Sequence, residues 1–339
     1  MIDLASDTVT KPTAGMLAAM STAEVGDDVY RADPTVNRLE QKAAELFGME
    51  AALFCVSGTM TNQIAIAVHT RPGDEVICHQ LAHIYVYEGG GIMTNAGASV
   101  RLIGDPNGLM RPEQVSAAIN PNDIHLARSR LVAVENTSNK GGGTCYELSQ
   151  LQAIGEIAAQ GGLSYHLDGA RLFNALVATG ETPESYGNLF NSISICLSKG
   201  LGCPVGSLLL GDREFIREAR RVRKRFGGGW RQAGFLAAAG IYALDNHVDR
   251  LSDDHAKAST LGACLEHLPY VASVQPVQTN IVVFRLREED RSGEFAASLA
   301  NAGIRITHLG GGVLRMVAHL DISSTDLEKV CNVLTELEF

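Results

Sequence analysis

The chain has no run of about 18 apolar residues, which is the length that a membrane-spanning helix requires. It also has little positive charge: 28 lysine and arginine residues stand against 38 aspartate and glutamate residues, and the formal net charge is -10. This acidic balance disfavours nucleic acids and anionic membranes as partners. The opening residues MIDLASDTVTKP lack a basic segment followed by an apolar stretch, so we expect no secretory signal.

Cysteine is also scarce, and its spacing does not suggest disulfide pairing. The chain has seven cysteines in 339 residues, an odd number, and no two of them form a C-x-x-C motif. Several lie in apolar surroundings, such as LFCVSG and VICH. This pattern is typical of a reduced protein, and we expect a cytoplasmic location.

Short apolar runs alternate with longer helical patterns along most of the chain. Runs such as AALFCV (51–56) and GSLLLG (206–211) do not alternate with polar residues, which indicates strands that are buried on both faces. The stretches between such runs, for example 149–160, have helical periodicity. Buried strands separated by helices predict an α/β fold whose mainly parallel sheet is covered by helices.

The pattern changes in the last third of the chain. It is helical from about residue 213 to 268, and shorter strands and helices follow. We therefore predict a large domain over residues 1–245 and a smaller C-terminal α+β domain over residues 246–339. We expect residues 1–20 to pack on the smaller domain.

A lysine follows one of the predicted strands, in the segment ICLSKGLG. Lys199 ends an apolar run and precedes two glycines, which let the backbone approach a bulky group. Removal from water lowers the pKa of a lysine and frees its amine to form an imine with a carbonyl group. A solvated lysine in a turn would explain this residue on its own, so the interpretation depends on its neighbours.

The segment HLDGAR places a carboxylate at the end of another predicted strand. In a parallel sheet, that end of the strand faces the ligand crevice. Asp168 is either the N-cap of the following helix or, together with Lys199, the acid that keeps a pyridine nitrogen protonated. Arg171 either binds a substrate carboxylate with two hydrogen bonds or forms a surface salt bridge.

Two segments are candidate phosphate sites. VSGTMTN lies between a predicted strand and a predicted helix, and the small residues Ser57, Gly58 and Thr59 leave free N–H groups at the helix N-terminus. KRFGGGWRQAG places Lys224 and Arg231 around a glycine turn. The alternatives are an ordinary capped helix start and a solvated basic helix end.

Three further charged or titratable residues are candidates. His83 is able to stack on a pyridine ring or to act as a base near neutral pH. Its spacing of four residues from His79 also suits a pair of metal ligands, but no third ligand stands at a usual spacing, and we expect no metal. Arg315 lies inside the apolar segment VLRMVAH, and such a charge pairs with a substrate carboxylate or with an internal acid.

Taken together, six segments resemble the low-specificity L-threonine aldolases: IDLASDTVTKPT, EVGDDVYRADPTVNRLE, ALFCVSGTMTNQIA, HLDGARLFNA, SICLSKGLGCPVGSLL and GGGWRQAG. The resemblance implies the PLP-dependent transferase-like fold (fold type I), with pyridoxal 5'-phosphate (PLP) as cofactor. It implies a homotetramer, a dimer of dimers with shared active sites. It also implies cleavage of L-threonine and L-allo-threonine to glycine and acetaldehyde, and of other L-β-hydroxy-α-amino acids.

The resemblance also assigns a role to individual residues. Lys199 carries the cofactor, Asp168 pairs with the pyridine nitrogen, and His83 stacks on the ring. The catalytic base is His83, His125 or a water held by them and the phosphate. The other implied cofactor contacts are Ser57, Gly58, Thr59, Arg171, Ser198, Lys224 and Arg231. The implied substrate contacts are Ser6, Tyr30, His83, His125, Arg171 and Arg315. By the same resemblance, Tyr30, Lys224 and Arg231 reach the site of a neighbouring subunit.

The chain departs from the family pattern at two positions near the expected site. Ser138 stands where the family usually has histidine, and Trp230 stands where it often has methionine. Both differences leave the preferred substrate side chain open. A phenylserine-preferring aldolase, another fold type I lyase or racemase, and a PLP-binding amino-acid sensor therefore remain alternatives. A nicotinamide dehydrogenase is disfavoured, because the glycine fingerprint is not where a Rossmann unit needs it.

Overall fold

The structure is a computed structural model that describes residues 1–337 and 339. In these residues the strands are β1 (Ile2–Asp3), β2 (Ala51–Cys55), β3 (Asp74–His79), β4 (Ser99–Ile103), β5 (Arg128–Glu135), β6 (Ser164–Gly169), β7 (Ser192–Cys196), β8 (Ser207–Gly211), β9 (Val271–Val274), β10 (Ile281–Leu286), β11 (Ile304–Arg305), β12 (Thr307–Gly310) and β13 (Val313–Val317).

The helices follow the same chain order. They are α1 (Ala14–Ser21), α2 (Pro34–Phe47), α3 (Gly58–His69), α4 (His83–Val86), α5 (Gly91–Ala96), α6 (Pro112–Ala118), α7 (Leu148–Gln160), α8 (Leu172–Thr179), α9 (Pro183–Gly187), α10 (Arg213–Arg225), α11 (Gly234–Asn246), α12 (Leu251–Glu266), α13 (Ser292–Asn301) and α14 (Ser324–Glu336). Single turns of 3-10 helix occur at Asp7–Val9, Asp28–Tyr30 and Glu289–Arg291.

A seven-stranded sheet forms the centre, in the order β2-β8-β7-β6-β5-β3-β4. Neighbouring strands from β7 to β4 are parallel, and β8 is antiparallel to both β2 and β7. Every residue of β3, β7 and β8 is buried, so both faces of the sheet are covered there. The predicted mainly parallel, helix-covered sheet is confirmed.

Local sequence signals explain where several helices begin and end. Before α2, the Asp33 side chain accepts hydrogen bonds from the backbone N–H groups of Thr35 (3.1 Å) and Val36 (3.0 Å). Pro34 occupies the first helical position, and Gly48 ends the helix in the left-handed conformation (φ 62°). These three residues are the caps that the sequence indicates.

A second, antiparallel sheet lies in the C-terminal part, in the order β12-β13-β10-β9. Its apolar core includes residues of α12 and α14 and also Ile2 and Leu4 from the start of the chain. The N-terminal residues reach this core because β1 pairs with β11 in parallel. The division of the chain into domains at residues 245 and 246 stays a prediction.

Two sequence expectations concern the chain as a whole. In the part of the chain that the structure describes, we find no helix with the length and hydropathy needed to span a bilayer. All seven cysteines, which are all among the described residues, have free thiols.

Candidate active site

Three neighbouring strands of the central sheet end at the same edge. Lys199 lies just after the end of β7, Asp168 is the last residue but one of β6, and Glu135 is the last residue of β5. The β5, β6 and β7 strands are parallel and adjacent. Because side chains at this edge of a parallel sheet face the crevice beyond it, the fold brings a lysine and two carboxylates to one place.

A cavity of about 330 Å³ opens in this region. It is lined by Ser6, Thr8, His83, Tyr87, Asn139, Arg171, Lys199, Thr307, Leu309 and Arg315. Five of these residues were predicted as site residues from the sequence. The walls come from the N-terminal segment, the central sheet and the C-terminal antiparallel sheet. A larger groove of about 890 Å³ lies elsewhere, beside α2 and α10, and shares none of these residues.

The backbone around Lys199 is fixed by hydrogen bonds to its carbonyl oxygen. Thr10 Oγ1 donates to this oxygen at 2.9 Å, and the Gly202 backbone N–H donates to it at 2.8 Å. The Lys199 side chain is half-buried and faces the cavity. A turn held in this way aims the amine at one point, which a lysine that forms an imine requires.

Asp168 is buried, and hydrogen bonds fix the position of its carboxylate. Its Oδ2 accepts a hydrogen bond from Asn62 Nδ2 at 2.8 Å, and its Oδ1 accepts one from the Ala170 backbone N–H at 3.2 Å. The same Asn62 amide donates to Glu88 Oε1 at 3.0 Å, and His83 Nδ1 donates to that oxygen at 2.9 Å. Asn62 and Glu88, which the sequence did not single out, therefore connect Asp168 to His83.

The same three groups lie close enough together to suggest a cation site. His83, Glu88 and Asp168 each offer one ligand atom, and these atoms lie within 4.8 Å of one another. The hydrogen bonds from Asn62 and His83 already use Glu88 Oε1. His79 is not part of this group, because its Nε2 lies 2.8 Å from the carbonyl oxygen of Asp105. The absence of a metal stays a prediction.

Glu135 and His83 both have shifted pKa values. Glu135 Oε2 accepts a hydrogen bond from the His83 backbone N–H at 2.8 Å. Burial, followed by the nearby charge of Asp168, raises the pKa of Glu135 to about 7. Burial alone lowers the pKa of His83, but the hydrogen bond to Glu88 and the surrounding carboxylates outweigh it and raise this pKa. His83 therefore binds a proton more tightly than a free histidine does.

The Glu135 carboxyl leads to a prediction about the cofactor-free protein. Between pH 4.5 and about 7, the folded protein keeps a proton on Glu135 that the unfolded chain has released. Stability therefore falls as the pH rises through this interval. We expect Glu135→Gln to remove this decline, which amounts to at most about 3 kcal/mol. Urea unfolding at a series of pH values measures it, and the exposed Glu113→Gln serves as control. An unchanged pH slope in Glu135→Gln would contradict the assignment.

The Arg171 guanidinium forms a buried ion pair with the Asp7 carboxylate. Its Nε and Nη2 donate to the two carboxylate oxygens of Asp7 at 2.8 and 2.7 Å, and Asn280 Nδ2 also donates to Asp7 at 3.2 Å. Burial by itself raises the pKa of Asp7, but the Arg171 guanidinium outweighs it and lowers this pKa to about 2. The salt bridge that was one alternative for Arg171 is thus present but buried, and its Nη1 donates to Asn139 Oδ1 at 3.4 Å.

Arg315 has a different environment from Arg171. Its Nη1 donates to Asn139 Oδ1 at 2.8 Å, and its Nη2 donates to the carbonyl oxygen of Ala5 at 3.1 Å. Its Nε is buried, and within the described residues it has no hydrogen-bond partner. No carboxylate of the described part of the chain pairs with this guanidinium, so a charged donor remains beside the cavity for an anionic ligand.

The candidate phosphate site lies at the start of α3. Ser57 is the N-cap, and its Oγ accepts a hydrogen bond from the Met60 backbone N–H at 3.2 Å. A Cβ atom at Gly58 would lie 2.5 Å from Cys196 Sγ, so glycine allows this helix end to pack against the last residue of β7. Thr59 is exposed in the first turn, and the half-buried Ser198 precedes Lys199. Free N–H groups at a helix start suit a phosphate.

Four of the predicted site residues that do not line the cavity are exposed. Tyr30 is 77% exposed, and Lys224 is exposed at the end of α10. Arg231 Nη1 donates to Asp27 Oδ2 at 2.7 Å. The His125 side chain is 82% exposed and pairs with Asp123. None of these four residues is among those that line the cavity, and their roles stay predictions.

The two departures from the family pattern also lie outside the cavity lining. Ser138 is buried, and its Oγ accepts a hydrogen bond from the Gly141 backbone N–H at 3.2 Å, which closes a turn. Trp230 is half-buried and stacks on Phe54, with ring centroids 5.2 Å apart. Ser138 thus shapes the loop that carries Asn139, and Trp230 packs against the strand before α3.

Comparison with known proteins connects this site to a family. Residues 3–289 match the family described as beta-eliminating lyase. The low specificity L-threonine aldolase of Escherichia coli (strain K12) is 44% identical over 336 residues, which cover 97% of this chain and 97% of that relative. The chain belongs to the low-specificity L-threonine aldolases. The resemblance that the six sequence segments indicated is therefore confirmed for this aldolase.

Solved structures show the fold of the aldolase. A threonine aldolase from Leishmania major has a TM-score of 0.86 and 23% sequence identity, and the match covers 98% of each chain. A structure of SPT with PLP has a TM-score of 0.77 and 14% identity, and the match covers 98% of this chain and 86% of that one. At these identities the likeness shows the fold alone. The predicted fold class, fold type I with a C-terminal antiparallel sheet, is confirmed.

Proposed function

We propose that this aldolase cleaves L-threonine and L-allo-threonine to glycine and acetaldehyde with pyridoxal 5'-phosphate as cofactor, and that it also accepts other L-β-hydroxy-α-amino acids. The observation that carries this proposal is a single cavity that holds both the Lys199 amine and the unpaired Arg315 guanidinium. An amine for the cofactor and a cation for an amino-acid carboxylate are what the reaction needs. The name of the E. coli relative supports the same activity.

The donor groups of the site fit pyridoxal 5'-phosphate. Lys199 supplies the amine for its carbonyl carbon, and Asp168 supplies a buried carboxylate for its pyridine nitrogen. The start of α3, with Ser57, Gly58 and Thr59, supplies N–H groups for its phosphate. When bound, the cofactor supplies an electron sink for the bond that breaks.

The protein's own groups bind and orient the substrate. Arg315 holds the carboxylate, with Ser6 and Nη1 of Arg171 beside it, and this fixes which bond of the amino acid is broken. With the cofactor bound, Asp168 would keep the pyridine nitrogen protonated and His83 would stack on the ring. The β-hydroxyl proton would be removed by His83, by His125 or by a water held by them and the phosphate.

The same proposal covers assembly and location. We propose a cytoplasmic homotetramer, built from dimers that share their active sites, with a large domain over residues 1–245 and a small one over 246–339 in each subunit. In that assembly, Tyr30, Lys224 and Arg231 would reach the cavity of a neighbouring subunit, which agrees with their exposure and their absence from the cavity lining of their own chain.

The direct test is an aldehyde assay. The purified protein is incubated with PLP and either L-threonine or L-allo-threonine, and acetaldehyde is followed through alcohol dehydrogenase and the loss of NADH. We expect acetaldehyde and glycine in equal amounts. Benzaldehyde from phenylserine, with none from threonine, would favour the phenylserine-preferring alternative. Ammonia or an inverted amino acid instead would favour another lyase or a racemase, and bound PLP without turnover would favour a sensor.

Asp168→Asn tests the role of the buried carboxylate. Asparagine keeps the shape but retains only one acceptor oxygen for the N–H groups of Asn62 and Ala170, and the negative charge that would hold a proton on the pyridine nitrogen is lost. We expect turnover to fall on the order of 10²-fold or more, together with weaker cofactor binding. Steady-state kinetics and PLP titration measure both effects, with the exposed Asp253→Asn as control. Near-normal turnover would rule out this role for Asp168.

A further inference from the structure

Asn139 lies between the two arginines of the cavity. Its Oδ1 accepts a hydrogen bond from Nη1 of Arg315 at 2.8 Å and a longer one from Nη1 of Arg171 at 3.4 Å. We propose that Asn139 is a positioning residue that holds these two guanidinium groups in place for the substrate carboxylate. We also propose that this position requires an uncharged acceptor, such as an amide oxygen, and not a carboxylate. This inference rests on the proposed function, because it concerns the same substrate.

The position of Asn139 is set by its backbone. Its N–H donates to Glu135 Oε1 at 3.0 Å, and the other oxygen of Glu135 accepts from the backbone N–H of His83. On the other side, Ser138 forms an antiparallel bridge with Thr144, which closes the loop between them. One buried carboxylate therefore fixes the start of this loop relative to His83. The loop in turn directs the Asn139 side chain between the arginines.

The charges around Asn139 explain why a neutral acceptor is needed. Asp7 already neutralises Arg171 through two hydrogen bonds. Arg315 has only neutral acceptors among the described residues, namely Asn139 Oδ1 and the carbonyl oxygen of Ala5. Its positive charge is therefore left for the ligand. An acid at position 139 would neutralise Arg315 and repel an incoming carboxylate, whereas an amide oxygen orients the guanidinium without cancelling its charge.

A purely structural role makes the opposite prediction. Aspartate has nearly the same shape as asparagine and is a stronger acceptor for guanidinium groups. If Asn139 only stabilised the loop, Asn139→Asp would be folded at least as well and would bind substrate normally. A change that keeps the acceptor and adds one negative charge therefore separates positioning for a carboxylate from simple packing.

The experiment compares Asn139→Asp with the wild type, each as the PLP-loaded protein. The KM and kcat for L-threonine are measured by acetaldehyde release, and glycine binding is measured by the change in cofactor absorbance. We expect Asn139→Asp to raise both the KM and the glycine Kd about tenfold or more, with a smaller change in kcat. The absorbance of the lysine-bound cofactor and the melting temperature should stay the same. Asn301→Asp, which adds the same charge at an exposed position of α13, is the matched control.

A second variant covers the case in which Asn139→Asp folds poorly. Asn139→Ala removes the acceptor without adding charge, so we expect the KM and the glycine Kd to rise several-fold, less than in Asn139→Asp. Unchanged KM and glycine Kd in either folded variant would overturn the role of Asn139 while leaving the proposed function intact. A wild-type protein that binds glycine but releases no aldehyde would instead overturn the proposed function. Glycine binding by the variants would still test Asn139 in that case.

Discussion

Lys199→Ala is expected to abolish the covalent attachment of pyridoxal 5'-phosphate and to lower turnover roughly 10³-fold or more. The reason is that Lys199 is the lysine that lines the cavity, and alanine leaves no lining residue with a primary amine for an imine. The fold should persist, because the hydrogen bonds from Thr10 and Gly202 go to the backbone carbonyl of residue 199, which alanine retains. The absorbance of the lysine-bound cofactor and the rate of acetaldehyde release measure the two effects.

The control for this variant is another lysine. Lys329→Ala removes an exposed amine from α14, and we expect its cofactor spectrum and turnover to match the wild type. Mass spectrometry after borohydride reduction provides a second measurement, because reduction makes a lysine–cofactor bond permanent. A cofactor attached to a different lysine of the wild-type protein would refute the assignment of Lys199.

Asp7→Ala is expected to lower the free energy of unfolding by about 3–5 kcal/mol, the usual cost of removing one partner from a buried ion pair. Both side chains are almost completely buried, so the alanine variant leaves the Arg171 guanidinium without its compensating charge. Urea unfolding at neutral pH measures the loss. The exposed Asp123→Ala is the control, since surface pairs contribute at most about 1 kcal/mol.

The same ion pair predicts how the stability of the folded protein changes at acidic pH. The pKa of Asp7 is about 2 in the folded protein and has an ordinary value of 3.8. The stabilisation is therefore present above pH 3.8 and is lost as the pH falls toward 2. Wild type and Asp7→Ala should differ less in stability near pH 2 than at pH 7. A difference below about 1 kcal/mol at pH 7 would show that the pair contributes little.

Local signals were sufficient to predict much of the fold. The apolar runs of the buried strands β2 and β8 do not alternate with polar residues, and Asp33, Pro34 and Gly48 are local signals for the two ends of α2. Lys199 and Asp168 were recognised because each stands at the end of such a strand. In a parallel sheet, strand ends converge, so sequence position along a strand already carries information about the site.

Local sequence patterns do not predict which residues form hydrogen bonds and ion pairs with the site residues. Asp7 pairs with Arg171 across 164 residues, and Asn62 bonds to Asp168 across 106 residues. Such partners depend on tertiary packing, which a single sequence does not display. Glu135 carried the clearest signal that was available, because it is an acid at the end of the apolar run RLVAVE. Asn139 carried none, since asparagine is an ordinary loop residue.

The pairing of β1 with β11 has a consequence for how the protein is made. Ile2 lies beside Ile304, and Ser6 shares the cavity with Arg315, so these two contacts form only after residues 304–315 have left the ribosome. At about 5–20 residues per second, the roughly 300 residues between them take about 15–60 s to synthesise. A nascent chain can build its central sheet during that time, while the carboxylate site still lacks Arg315. A chain cut short before residue 304 would therefore lack both the β1 pairing and this guanidinium.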